Sequence, residues 1–127
     1  MRIPELGELE TAVLEVLWSA TEPLAVRDVL ERLGRRPLHA YTTILTVLDR
    51  LHAKDAVGRV KDGRAFLYRA RWSRESLHGE RAVRALTIDA GPPNAVLVAF
   101  LDSAEARDPQ LLDRLAALIA ERRKGPL

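Results

Sequence analysis

The sequence predicts a mainly α-helical chain with one small β-hairpin set in its middle. Two observations predict it. Ala, Leu, Val and Arg dominate while aromatics make up only 5% of the residues, a composition that favours helices, and apolar residues recur at helical spacing on both sides of Val60. A single Asp62-Gly63 pair lies between two short runs of strand-forming residues.

The first helix is expected over Leu6 to Ala20, where Leu6, Leu9, Val13, Val16 and Leu17 share one stripe and Glu8, Glu10 and Glu15 lie mostly off it. Thr21-Glu22-Pro23 ends it, because the residue before a proline is pushed out of helical geometry. A shorter helix from Ala25 to Leu33 turns Val26, Val29, Leu30 and Leu33 inward and stops at Gly34. After the loop Arg35 to Leu38, a third helix runs from His39 to Lys54. Its apolar face is Tyr41, Ile44, Leu45, Leu48 and Leu51, and its other face carries Thr42, Thr43, Thr46, Asp49, Arg50, Ala53 and Lys54. Three β-branched threonines add nothing to helix propensity. Short hydroxyl side chains do let a helix approach a nucleic-acid groove closely and bond to phosphates and base edges.

With Asp62-Gly63 as a two-residue turn, Lys61 pairs with Arg64, Arg59 with Phe66 and Val57 with Tyr68. Apolar bulk then sits at the root of the hairpin and Lys61 and Arg64 at its tip, as suits a wing resting on a phosphate backbone. Three short helices and this hairpin have the outline of a winged helix-turn-helix DNA-binding domain, expected over 1–72.

Beyond it, over 73–127, a helical dimerisation region is expected. Ser73 caps a helix reaching about Asp89, Gly91-Pro92-Pro93 interrupts the chain, Asn94 caps a short helix from Ala95 to Leu101, and Asp108-Pro109 opens the last one. Val96, Leu97, Val98, Phe100 and Leu101 are nearly continuous, and a helix apolar all round must be buried all round. A two-fold dimer does this most simply, with folding back on the same chain as the alternative. The dimer contacts are expected from Leu86, Val96, Leu97, Phe100 and Leu101, and from Leu111, Leu112, Leu115, Leu118 and Ile119 of the last helix.

Charge is distributed to match. Met1 to Gly34 carries three bases against seven acids, net −4; Arg35 to Arg71 carries nine against three, net +6; Trp72 to Leu127 balances at eight of each. A basic patch confined to the middle third recruits a polyanion by releasing its counterions. With no cysteine there is no disulfide, thiolate metal site or cysteine nucleophile. His39, His52 and His78 are scattered and no phosphate loop or nucleophile motif is present, so an enzyme is not expected, nor a cofactor. No secretory signal and no membrane-length apolar run is visible, so a cytoplasmic protein without membrane insertion is expected.

Leu6-Gly7-Glu8-Leu9-Glu10 through Leu17-Trp18, then Ala40-Tyr41-Thr42-Thr43-Ile44-Leu45-Thr46-Val47-Leu48-Asp49-Arg50-Leu51, then Gly63-Arg64-Ala65 and Tyr68, resemble the penicillinase-repressor family of BlaI/MecI/CopY type. The resemblance implies a dimeric winged-helix repressor on inverted-repeat operators of the TACA/TGTA kind. It places Thr42, Thr43, Thr46 and Arg50 on the recognition helix and Arg64 in the wing. The full DNA-binding set expected is Tyr41, Thr42, Thr43, Thr46, Arg50, Lys54, Lys61 and Arg64. The copper-responsive branch ends in a cysteine-rich metal hook, which cannot form here. The β-lactam-responsive branch is cut in its dimerisation region, often at Asn–Phe; the equivalent bond is Ala99-Phe100, which makes a membrane sensor metalloprotease a candidate partner. A winged-helix module for protein contacts and a ligand-sensing regulator are the alternatives.

Overall fold

The computed structural model describes residues 6–34, 40–88 and 91–125. They form two compact units, the first ending at Glu80 and the second starting at Arg81. The first holds α1 (Glu8–Ser19), α2 (Val26–Leu33), α3 (Tyr41–Ala53), β1 (Val57–Asp62), β2 (Ala65–Ala70) and the first turns of α4 (Arg74–Leu86). The second holds the end of α4, α5 (Ala95–Arg107) and α6 (Pro109–Arg123). The expected loop Arg35 to Leu38, His39 and the expected helix end at Asp89 lie outside the described residues.

The first two helices begin alike. Gly7 and Ala25 have no capping side chain, so a carboxylate three residues on reaches back. Gly7 N–H donates to Glu10 Oε1 at 3.1 Å, and Ala25 N–H to Asp28 Oδ2 at 3.1 Å. Each carboxylate satisfies an orphan amide at the positive end of its helix. Helix α2 stops at Gly34 with φ 29°, where a Cβ would lie 2.6 Å from the Glu31 carbonyl oxygen. Helix α3 ends in a Schellman turn: Asp55 takes φ 64°, its N–H donates to the His52 carbonyl at 3.0 Å, and Ala56 N–H to that of Leu51 at 2.9 Å. The Ala56 carbonyl then accepts Arg71 N–H at 2.8 Å, stitching the end of α3 to the chain leaving β2.

Strands β1 and β2 are antiparallel, with Val57 opposite Ala70, Arg59 opposite Tyr68, Lys61 opposite Phe66 and Asp62 opposite Ala65. This corrects the register expected from sequence. The two turn residues are Gly63 and Arg64, not Asp62 and Gly63, so Lys61 faces Phe66 and Val57 faces Ala70. The physical reason is that Gly63 alone has positive φ, 65°, the pattern of a turn with glycine in its first central position. Leu24, between α1 and α2, makes a one-residue antiparallel bridge to β2: its N–H donates to the Tyr68 carbonyl at 2.9 Å and its carbonyl accepts Tyr68 N–H at 2.7 Å.

The core of the first unit is one cluster. Val13, Leu14 and Leu17 meet Val29, then Ile44, Val47, Leu48 and Leu51 of α3, with Val57, Tyr68, Trp72 and Leu77 closing it. Two residues of α3 depart from the expected face. Val47 is buried, and Tyr41, expected on the apolar face and also in the DNA-binding set, is 45% exposed. Ser73 caps α4 as expected, its Oγ accepting Ser76 N–H at 3.0 Å. Leu77 is buried, Arg74 pairs with Glu15 at 3.0 Å, and Trp18 Nε1 donates to the Trp72 carbonyl at 2.8 Å. The first unit therefore runs past Trp72.

In the second unit α5 extends to Arg107, well beyond the expected Leu101. Asp108 caps α6 by accepting Gln110 N–H at 3.2 Å, with Pro109 at the first helical position. Ala104 of α5 is buried, while no residue of α6 is buried among those described.

The Tyr68 hydroxyl is buried with no hydrogen-bond partner among the described residues. A buried hydroxyl left unpaired is destabilising relative to none. Tyr68→Phe is therefore expected to raise unfolding free energy by roughly 1 kcal/mol in urea titration. A loss of that size would show that the hydroxyl is bonded in solution.

Candidate nucleic-acid interface

The exposed side of α3 follows from its core side. With Ile44, Val47, Leu48 and Leu51 buried, the helical step turns Thr42, Thr43, Thr46, Asp49, Arg50 and Ala53 outward. Thr46 Oγ1 donates to the Thr42 carbonyl at 2.9 Å, leaving its methyl and lone pairs to the outside. The Thr42 and Thr43 hydroxyls bond to nothing among the described residues. Unlike α1 and α2, α3 starts at Ala40 with no cap from a side chain and no acid in its first turn. Its leading amides stay open to an anion. Arg27 of α2 lies over the Tyr41 ring at 6.0 Å, bringing a cation to this end of the helix. Sequence reading did not single out Arg27; the signal, one of two exposed bases on the preceding helix, has meaning only once the helices are placed.

Two acid–base pairs hold α3 from its flanks. On the α1 side, Lys54 Nζ sits 2.7 Å from Glu10 Oε2. Lys54, expected to face DNA, ties the end of α3 to α1 through this pair. Partial burial pushes the Glu10 carboxyl up, but the Lys54 hydrogen bond, the Gly7 amide and the charges of Lys54 and Arg50 outweigh it and hold the group below its ordinary value. The first turn of α1 and Thr42, Thr43, Thr46 and Arg50 line a shallow groove of about 530 Å³. On the other side, Arg59 of β1 donates to Asp49 Oδ1 at 3.0 Å and lies 4.2 Å from the Phe66 ring centroid.

Arg50, Lys61, Arg64 and Arg69 are exposed and have no carboxylate within ion-pair distance among the described residues. Lys61 stands opposite Phe66 and Arg64 in the turn itself, so the hairpin tip carries both. Among the described residues the middle third therefore offers cations without an acid partner on the outer face of α3 and on the hairpin, and its remaining described bases, Lys54, Arg59 and Arg71, are paired to acids.

In the second unit, Leu86, Leu97, Phe100, Leu101, Leu112, Leu115 and Ile119 line an open groove of about 840 Å³ with no polar side chain in its wall. Val96 and Leu111 are half-buried outside that wall, and Leu118 is 66% exposed. The Ala99-Phe100 bond lies inside α5, with Ala99 exposed and Phe100 half-buried.

A family model, that of the penicillinase repressor, matches residues 6–121. The chain belongs to the penicillinase-repressor family. It is 41% identical over 118 residues to the transcriptional regulator BlaI of Mycobacterium tuberculosis, covering 91% of this chain and 86% of that protein. It is 31% identical over 67 residues to the penicillinase repressor of Bacillus licheniformis, covering 53% of this chain and 52% of that protein. Its fold matches the solution structure of the DNA-binding domain of the repressor BlaI with a TM-score of 0.51 and 29% identity, over 58% of this chain and 90% of that one. The first unit is accordingly a winged helix-turn-helix, as the sequence predicts, in a family of transcriptional repressors rather than enzymes. No helix among the described residues is long and apolar enough to cross a membrane.

Because the Glu10 carboxyl is held below its ordinary 4.5, its contribution is complete above that value and is lost as pH falls through the folded one. Glu10→Gln is expected to cost about 1 kcal/mol at pH 7. The gap between variant and native chain should close as urea titrations move below pH 4.5, with a constant gap refuting the assignment.

Proposed function

We propose that this repressor binds inverted-repeat operator DNA of the TACA/TGTA kind as a homodimer, with α3 in the major groove and the β1–β2 wing on the phosphate backbone. One observation carries the reading. The outer face of α3 presents Thr42, Thr43, Thr46 and Arg50, beside a hairpin whose tip carries Lys61 and Arg64, and none of these three cations pairs with an acid among the described residues. A winged-helix module used for protein contacts alone would have no need to leave these cations free while pairing Lys54, Arg59 and Arg71. The homodimer is supported by the apolar groove of α4, α5 and α6, and by Leu97, Leu101 and Ile119, which are about half exposed in the single chain.

Truncating Lys61 and Arg64 together is expected to weaken binding to all DNA and to reduce the slope of log K against log salt by about 2, near 0.9 for each lost phosphate contact. An unchanged slope takes the wing off the DNA. Leu115→Glu in the groove is expected to give monomers in analytical ultracentrifugation. It should lower affinity for a two-half-site duplex by about 10² to 10⁴ while leaving a single half-site untouched. Equal loss on both duplexes would remove the tail from dimer formation.

Release by a membrane sensor metalloprotease cutting Ala99-Phe100 would separate Leu97 from Leu101 within one groove wall. The bond is helical, and a protease needs it extended, so α5 must unwind first. Immunoblots during induction of the target genes decide this: a chain that stays intact while its targets are transcribed is released by other means.

A further inference from the structure

Asp49 is the only acid of α3, and it stands on the outer face. Counting 100° per residue, Thr42, Thr46, Asp49 and Ala53 fall on one stripe about 60° wide. The Asp49 side chain is 55% exposed and accepts one bond, from Arg59 at 3.0 Å to Oδ1; Oδ2 has no partner among the described residues. Arg59 is fixed in turn by its stacking on Phe66.

A carboxylate accepts hydrogen bonds and cannot donate. The DNA backbone offers it nothing, since phosphate oxygens also only accept and are charged alike. Donors in the major groove are the exocyclic amino groups of cytosine and adenine. Adenine sets the acceptor N7 beside its amino group, which repels a carboxylate, whereas the cytosine amino group has no acceptor of its own base beside it on that edge. The neighbour of Asp49 one turn back has the same polarity: the Thr46 hydroxyl hydrogen is spent on the Thr42 carbonyl, so its oxygen also only accepts.

We propose that Asp49 is a specificity-determining residue that reads the amino group of a cytosine in each half-site. Arg59 acts as its positioning residue, holding one carboxylate oxygen and offsetting its repulsion of nearby phosphates. The proposal rests on the DNA-binding reading above.

The test is selection of preferred sites from a pool of randomised duplexes by the full chain, Asp49→Ala and Asp49→Asn. One position per half-site that the native chain fixes as cytosine should become indifferent with alanine. It should turn to adenine with asparagine, whose amide pairs with N6 and N7 together. Other positions should hold, and alanine should lower affinity for the native site roughly ten-fold without lowering affinity for random DNA. Asparagine keeps the size of the side chain, so it serves where alanine disturbs the fold. The proposal is overturned if the cytosine preference survives in both variants, or if every position and random DNA weaken together, which is the mark of a merely structural role. A native chain that selects no common sequence at all defeats the DNA-binding reading, and this one with it.

Discussion

The reciprocal backbone pair between Leu24 and Tyr68 is the joint on which the first unit depends. Two hydrogen bonds, at 2.9 and 2.7 Å, turn a hairpin that would be marginal alone into an extension of the helical core. They place the Tyr68 side chain inside, against the helices, and so fix which face of β2 is buried. Because Arg59 stands opposite Tyr68, the same pair decides that Arg59 faces the helix side and can reach Asp49. The position of the wing relative to α3 is thus set at its root by backbone bonds and further out by one ion pair.

Helix α3 has to satisfy two opposed demands. It must be held firmly, so that its outer side chains keep one geometry, and it must leave that outer side free of internal partners. The structure meets the first with four fully or nearly buried residues and a tie on each flank, Glu10–Lys54 and Asp49–Arg59. It meets the second by leaving Thr42, Thr43 and Arg50 without a bonded partner among the described residues. Net charge alone hides this division. Of the nine bases that give the middle third its excess, Lys54, Arg59 and Arg71 are spent on acids, while Arg50, Lys61, Arg64 and Arg69 have no acid partner among the described residues.

Elements with a strong period were legible in the sequence. The helices and the hairpin follow in the order that apolar spacing predicts, with α5 longer than expected and the turn one residue on, and the threonine face of α3 does point outward. What was not legible depends on single residues or on partners far along the chain. The Leu24 bridge is one residue long and leaves no alternation to find. The turn could be placed on Asp62-Gly63 or on Gly63-Arg64 with equal local sense, and the choice shifts every cross-strand pair. The tie between Lys54 and Glu10, 2.7 Å apart, joins two helices and leaves no local signal. Val47 could have been found, since it lies at helical spacing from Ile44 and Leu51.

The second unit shows the limit of a single chain. Its helices cap themselves well, Asp108 and Pro109 starting α6 by local bonds, yet they bury almost nothing: Ala104 is the one residue of α5 or α6 described as buried. Helices of 13 and 15 residues gain little from propensity alone in water and draw their stability from packing an apolar face. An entirely apolar groove of about 840 Å³ is therefore unsatisfied surface on the scale of a partner helix, not of a polar ligand. A second copy would fill it and at the same time double the number of α3 helices presented to DNA. Were the groove filled by a second copy, the stability of the tail and the strength of operator binding would have one cause, because the same pairing that buries the groove would create two reading heads for an inverted repeat.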